Sequence, residues 1–153
     1  MILYGNTISN EKWNQLGLSE IAEYRGWLDY SKDVSTLKDI DVFLQLLDDN
    51  NVSKAGWPNK LGDYLAFGKP VILSPYGDII DFVKNEKGFF IVEYNKYSIL
   101  KILQEIKDIP YSDLKTMGYA NRQLAEKISW KNRAKNIEYI CNKIRFNNET
   151  VKN

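Results

Sequence analysis

Short apolar runs alternate with amphipathic stretches along the chain, at the spacing expected of strand–helix units that build a parallel sheet. The runs predict strands over Ile2 to Tyr4, Ile21 to Arg25, Asp41 to Leu47, Pro70 to Ser74 and Gly88 to Glu93. Val42-Phe43-Leu44 and Val71-Ile72-Leu73 are continuous rather than alternating, which is how strands covered on both faces read. Helices are therefore expected on both sides of the sheet, near 9–16, 32–39, 59–67 and 78–85. Beyond these the pattern changes to consecutive helices over 98–107, 112–127 and 130–146. Pro110 separates the first two, and Ser129 is placed to cap the third. In that third helix Trp130, Ala134, Ile137, Cys141 and Ile144 recur at helical spacing, a stripe whose simplest role is packing. The fold class is α/β, with one domain over 1–146 and a polar, frayed tail over 147–153.

Composition narrows the chemistry. With 153 residues, 44% of them hydrophobic, the chain is about one domain long and can bury a real core without a disulfide or metal staple. Its one cysteine, Cys141, excludes an internal disulfide and fits a reducing compartment, so a cytoplasmic location is expected. There is no histidine, so hydrolases built on Ser-His-Asp or Cys-His, imidazole acid–base catalysis and ordinary zinc catalysis lack their central group. Carboxylates, lysine, tyrosine and backbone dipoles remain. The apolar start, Ile2-Leu3-Tyr4, is shorter than the roughly 7 to 15 residues of a secretory signal. The longest apolar stretch, Tyr64 to Tyr76, is broken by Gly68, Lys69, Pro70 and Pro75, so no membrane span is expected.

Net charge is +1, yet residues 1–120 hold 13 Lys/Arg against 17 Asp/Glu while residues 121–153 hold 8 against 3. The basic end has three readings: packing on the domain, docking against another domain, and peripheral contact with anionic lipid. Nucleic acid is not expected, because the rest of the chain is acidic and lacks a basic–aromatic sheet pattern.

In an open parallel sheet, ligands bind beyond the carboxyl ends of strands, where helix N-termini offer unpaired N–H groups to phosphate. The most informative loop runs from Asp48 through Gly56, Trp57 and Pro58 into a helix that Gly68 ends. On that helix Lys60 and Asp63 are three apart and share a face near its positive end. One cation and one carboxylate beside free N–H groups suit a phosphate and a sugar diol.

The segment PNKLGDYLAFGKPVI resembles the donor-binding segment of GT-B glycosyltransferases, in the retaining, nucleotide-sugar-dependent group called glycosyltransferase group 1. ILYGN resembles the second strand of that family's C-terminal domain, AEYRGWLD its third strand and glycine turn, and LKDIDVFLQ the helix and strand before the donor loop. GDIIDFVKNEKGFFIVEYN resembles the next helix and strand, and MGYANRQLAEKISWKNRAKNIEYI the closing helices. The resemblance implies the C-terminal half of a GT-B enzyme: a Rossmann-like parallel sheet with helices on both faces, followed by C-terminal helices. It implies that Asp63 bonds the ribose hydroxyls, that the backbone around Gly26, Trp27 and Leu28 meets the base, and that N–H groups in the stretch Trp57, Pro58, Asn59 and Lys60, the proline excepted, face the diphosphate or sugar. No catalytic residue, metal or separate cofactor is assigned; the nucleoside-diphosphate sugar is the donor substrate.

Two departures matter. The first of the family's two spaced glutamates falls at Ala55, which has no carboxylate, although family members with a PxKL segment also depart from that pattern. Further, the family's first strand and its acceptor-binding domain have no counterpart here, so an N-terminally truncated donor half is expected. That expectation brings partners with it: an acceptor-domain subunit or a second copy. The alternative is a non-catalytic nucleotide-binding or interaction module. Plainer roles stand beside the functional ones: Asp63 and Lys60 as solvated helix charges, Gly26 and Gly68 as turn and cap glycines, Trp57 as core packing, Asp48 and Asp49 as solvated rather than metal-binding, and Tyr76-Gly77-Asp78 as a turn. Without a P-loop or GxGxxG, NTPase and dehydrogenase readings have no motif.

Overall fold

The computed structural model describes residues 1–5 and 9–150, the side chains of 146–150 excepted. It divides into two compact units, Met1–Asp39 and Ile40–Asn153.

In the first unit β1 (Ile2–Leu3) pairs in parallel with β2 (Glu23–Tyr24), and α1 (Asn10–Gln15) and α2 (Tyr30–Lys38) follow the two strands. Each helix starts on a side-chain cap. Ser9 accepts from the Lys12 N–H and Asp29 from the Ser31 N–H, so each satisfies one of the donors a helix start leaves over. The strand pairing extends two residues past each strand, through the Arg25 N–H donating to the Leu3 carbonyl and the Gly5 N–H donating to that of Gly26.

The second unit holds β3 (Phe43–Gln45), α3 (Asn51–Ala55), α4 (Asn59–Ala66), β4 (Val71–Leu73), α5 (Ile79–Val83), β5 (Phe89–Ile91), α6 (Lys96–Lys107), α7 (Tyr111–Lys127) and α8 (Trp130–Thr150). The strands form a parallel sheet in the order β3-β4-β5, with Phe43 opposite Val71 and Val71 opposite Phe89. Val71, Ile72 and Leu73 are all fully buried, and since successive strand side chains point to opposite faces, β4 is covered on both sides as its apolar run predicts. Leu61 and Leu65 turn one face of α4 into the core, and Tyr64 stacks on Phe43 with ring centres 4.3 Å apart.

Helix α7 ties the sheet together from its N-terminal edge. Asn121, fully buried, donates through Nδ2 to the carbonyls of Lys69 and Gly88, each at 2.9 Å, just ahead of β4 and β5. Gly118 and Gly68 meet backbone to backbone, and a side chain at position 118 would overlap the Gly68 carbonyl. Gly68 ends α4 at φ +65°, a left-handed conformation that glycine adopts without penalty.

Hydrogen bonding joins the strands into two sheets, β1-β2 and β3-β4-β5, because pairing depends on which backbones meet and not on the apolar run itself. Two features depart from the sequence expectation. Helix α3 occupies what reads in sequence as loop. And α8 continues as helix through Thr150, while residues 151–153 of the expected tail lie outside the described residues. Among the described residues no helix is long and apolar enough to cross a membrane.

Candidate functional site

Beyond the carboxyl ends of β3 and β4 the second unit builds a set of short, mutually bonded turns. The Leu47 N–H donates to Ser74 Oγ at 2.8 Å, so the fully buried Ser74 fixes the departure of the chain from β3. Asn50 then caps α3 by accepting from the Ser53 N–H at 2.8 Å, and Asp49 pairs with Lys54. Gly77, at φ +84°, lies so close to α3 that a Cβ there would sit 3.0 Å from the carbonyls of Ser53 and Lys54. The loop after β4 therefore packs directly on α3, which is the physical reason for glycine in Tyr76-Gly77-Asp78. The Tyr76 hydroxyl donates to Glu93 at 3.2 Å, joining the loop after β4 to the end of β5.

From α3 the chain passes Gly56 and Trp57 to Pro58, which takes the N-cap position of α4 instead of its first turn and supplies no side-chain cap bond. Asn59 and Lys60 open the helix. Both are exposed, as is Asp63, since burial of Leu61 and Leu65 turns the opposite face outward. Trp57, Pro58, Asn59 and Lys60 thus lie at the start of α4, and Asp63 follows mid-helix, three residues past Lys60 and on its face. Burial raises the pKa of Tyr64, with the charge of Asp63 a smaller cause in the same direction. Trp57 keeps 39% of its surface exposed while packing edge-on against Phe82, with ring centres 5.2 Å apart and planes at 70°. It is anchored and accessible at once, so the core-packing reading accounts for only one side of its ring.

Sequence reasoning missed Arg133, in the first turn of α8, whose guanidinium lies 5.8 Å from the Trp57 ring centre and 5.7 Å from that of Trp130. The only local signal was the three-residue spacing of Trp130 and Arg133.

In the first unit, Gly26 adopts φ +71°, confirming the turn role of a residue that must go left-handed. Trp27 is 75% exposed and Leu28 half-buried. Asp29 closes the turn, its carboxyl held below the usual range first by the Ser31 hydroxyl and then by Lys32. Among the described residues no cluster of three or more histidine, cysteine or carboxylate side chains is arranged to hold a metal ion.

No protein-family model and no curated protein matches the chain. Solved structures do. HepE from Anabaena, in complex with UDP and glucose, superposes with a TM-score of 0.65 at 13% identity over 82% of this chain and 35% of that one. The same protein in complex with UDP-glucose gives 0.63 at 13% identity, with the same coverage. Sucrose-phosphate synthase from Thermosynechococcus elongatus gives 0.71 at 16% identity over 94% of this chain and 38% of that one. This chain spans little more than a third of the length of these neighbours. Parallel sheets flanked by helices and followed by C-terminal helices, matched over most of their length to GT-B glycosyltransferases, give this chain the fold of a GT-B C-terminal half.

Proposed function

We propose that this chain is the donor-binding half of a glycosyltransferase, holding a nucleoside-diphosphate sugar while the sugar passes to an acceptor hydroxyl. The observation that carries the reading is the entry of α4: a helix start with no side-chain cap, and Lys60 and Asp63 exposed beside it, in a fold whose solved neighbours include complexes with UDP and UDP-glucose. In the transfer, the bond from the sugar's anomeric carbon to the diphosphate oxygen breaks, a bond to the acceptor oxygen forms, and the proton of the acceptor hydroxyl passes to the departing diphosphate. Charge grows on the departing diphosphate, where the first N–H groups of α4 and the Lys60 ammonium would stabilise it. Asp63, as an acceptor-only carboxylate, takes the ribose hydroxyls. The reading calls for no cofactor beyond the donor.

It also calls for partners. Trp130, Ile137, Ile140 and Ile144 on α8 are all more than half exposed. An acceptor-domain subunit, or a second copy of this chain, would cover them. In this reading the chain works in the cytoplasm, and the basic residues of α8 offer peripheral contact with anionic lipid.

Isothermal titration with UDP, ADP, GDP and their sugars tests the proposal. Asp63→Ala should weaken the diphosphate that binds by about 1.5 to 3 kcal/mol, roughly 10- to 150-fold. A parent chain that binds none of the panel refutes the reading; an Asp63→Ala chain that binds as tightly as its parent refutes the residue assignment.

A further inference from the structure

The described arginines differ in what engages their guanidinium groups. Arg25 forks onto Glu23 with two bonds of 2.8 Å, and Arg122 reaches Glu126 and the Ala66 carbonyl. Arg133 has two tryptophan rings instead, and no hydrogen bond or ion pair among the described residues takes up its side chain. That difference has a chemical consequence. A ring face attracts a cation through its quadrupole and uses none of the guanidinium's N–H groups, so all five donors stay available. An arginine already placed by neighbouring rings has also lost part of the rotamer freedom it would otherwise give up on binding. The group so prepared is a planar fork, matched to two oxygens of one phosphate or of adjacent phosphates.

Its location gives the anion. Trp57 also packs edge-on with Phe82 and stands two residues ahead of Asn59, the first residue of α4. Lys60, exposed, follows in the next position. An arginine seated against Trp57 is thus beside the stretch that leads into the helix whose start has no side-chain cap. The ring of Trp130, 83% exposed, is the second aromatic neighbour of the Arg133 guanidinium.

We propose that Arg133 is a diphosphate-binding residue of the donor site, with Trp57 and Trp130 as the residues that position it. The inference rests on the donor-binding reading above and adds to it a cation from the far end of the chain, which the donor-like segment does not contain.

The test uses the full chain and a charge series: UDP, ADP and GDP, then the monophosphate and the nucleoside of whichever base binds. Arg133→Gln is expected to weaken the diphosphate about tenfold or more, the monophosphate less, and the nucleoside not at all. Arg133→Lys should recover part of the loss, since it restores the charge without the fork. Diphosphate binding should also change tryptophan fluorescence in the parent, and much less in Arg133→Gln. An Arg133→Gln chain that binds the diphosphate like its parent overturns the inference and leaves the donor-binding reading standing. A parent that binds no member of the series overturns both. Equal losses for diphosphate and nucleoside, with a lowered unfolding midpoint, would make Arg133 a structural residue and overturn the inference as well.

Discussion

Replacing Asn121 by alanine tests how the second unit is held together. Its Nδ2 group bonds the carbonyls of Lys69 and Gly88, at sequence separations of 52 and 33 residues, from a fully buried position on α7. Each lost bond is worth about 1 kcal/mol, and stranding a carbonyl adds about 1 to 2 kcal/mol. The two carbonyls are not equal: that of Gly88 keeps the Val71 N–H as donor, so the stranding falls on Lys69. Against this, alanine removes Oδ1, a buried acceptor without a partner among the described residues. The net loss should be about 2 to 3 kcal/mol, or roughly 5 to 10 °C in unfolding midpoint for a domain of this size. Urea unfolding reads it as a lower midpoint at unchanged slope. A second substitution sharpens the test. A Cβ on Gly88 would overlap the Asn121 amide, and Gly88 has no left-handed φ of its own to protect. Gly88→Ala should therefore cost clearly more alone than in the Asn121→Ala background, with a coupling of about 1 kcal/mol or more. A loss under about 0.5 kcal/mol for Asn121→Ala, or additive effects in the pair, would refute the account of α7 as the tie between the starts of β4 and β5.

Two further predictions concern ionisation and association. Because burial raises the Tyr64 pKa above its unfolded value of 10.0, the neutral phenol contributes stability that is fully present below that pH and is lost as pH rises through the higher folded value. Tyr64→Phe keeps the stack on Phe43 and should flatten the alkaline fall of the unfolding midpoint; an unchanged fall sinks the assignment. The exposed apolar stripe of α8 should make the chain self-associate, or bind an acceptor-domain chain, across a sedimentation concentration series, and Ile137→Glu should reduce it. A monomer at every concentration, indifferent to such a chain, removes that expectation.

Elements whose causes lie within a few residues were legible in the sequence. Val71-Ile72-Leu73, between Pro70 and Ser74, reads as a strand covered on both faces, and it is one. Pro58 and Gly68 bracket α4, and the spacing of Leu61 and Leu65 already put Lys60 and Asp63 on the outer face. The boundary at Ser129 between α7 and α8 follows from a capping residue. Helix α3 was missed though its signal is local: Asn50 three residues before Ser53 is a cap, but the five residues Asn51 to Ala55, ahead of a glycine, are too few to carry an apolar period to go with it.

What tertiary structure alone decided is nonlocal. The division of five strands between two sheets depends on which backbones are brought within hydrogen-bonding distance, and an apolar run reads the same whichever neighbour it finds. The partners of Asn121 are carbonyls, which every residue has, so no side-chain pattern could announce them. The same holds at the candidate site. Sequence placed Trp57, Lys60 and Asp63 around one helix start, because a helix fixes the angle between positions three and four apart. Bringing Arg133 against Trp57 required the closing of a loop of about half the chain, and that closure is set by the sum of packing along the whole second unit instead of by any residue near either end.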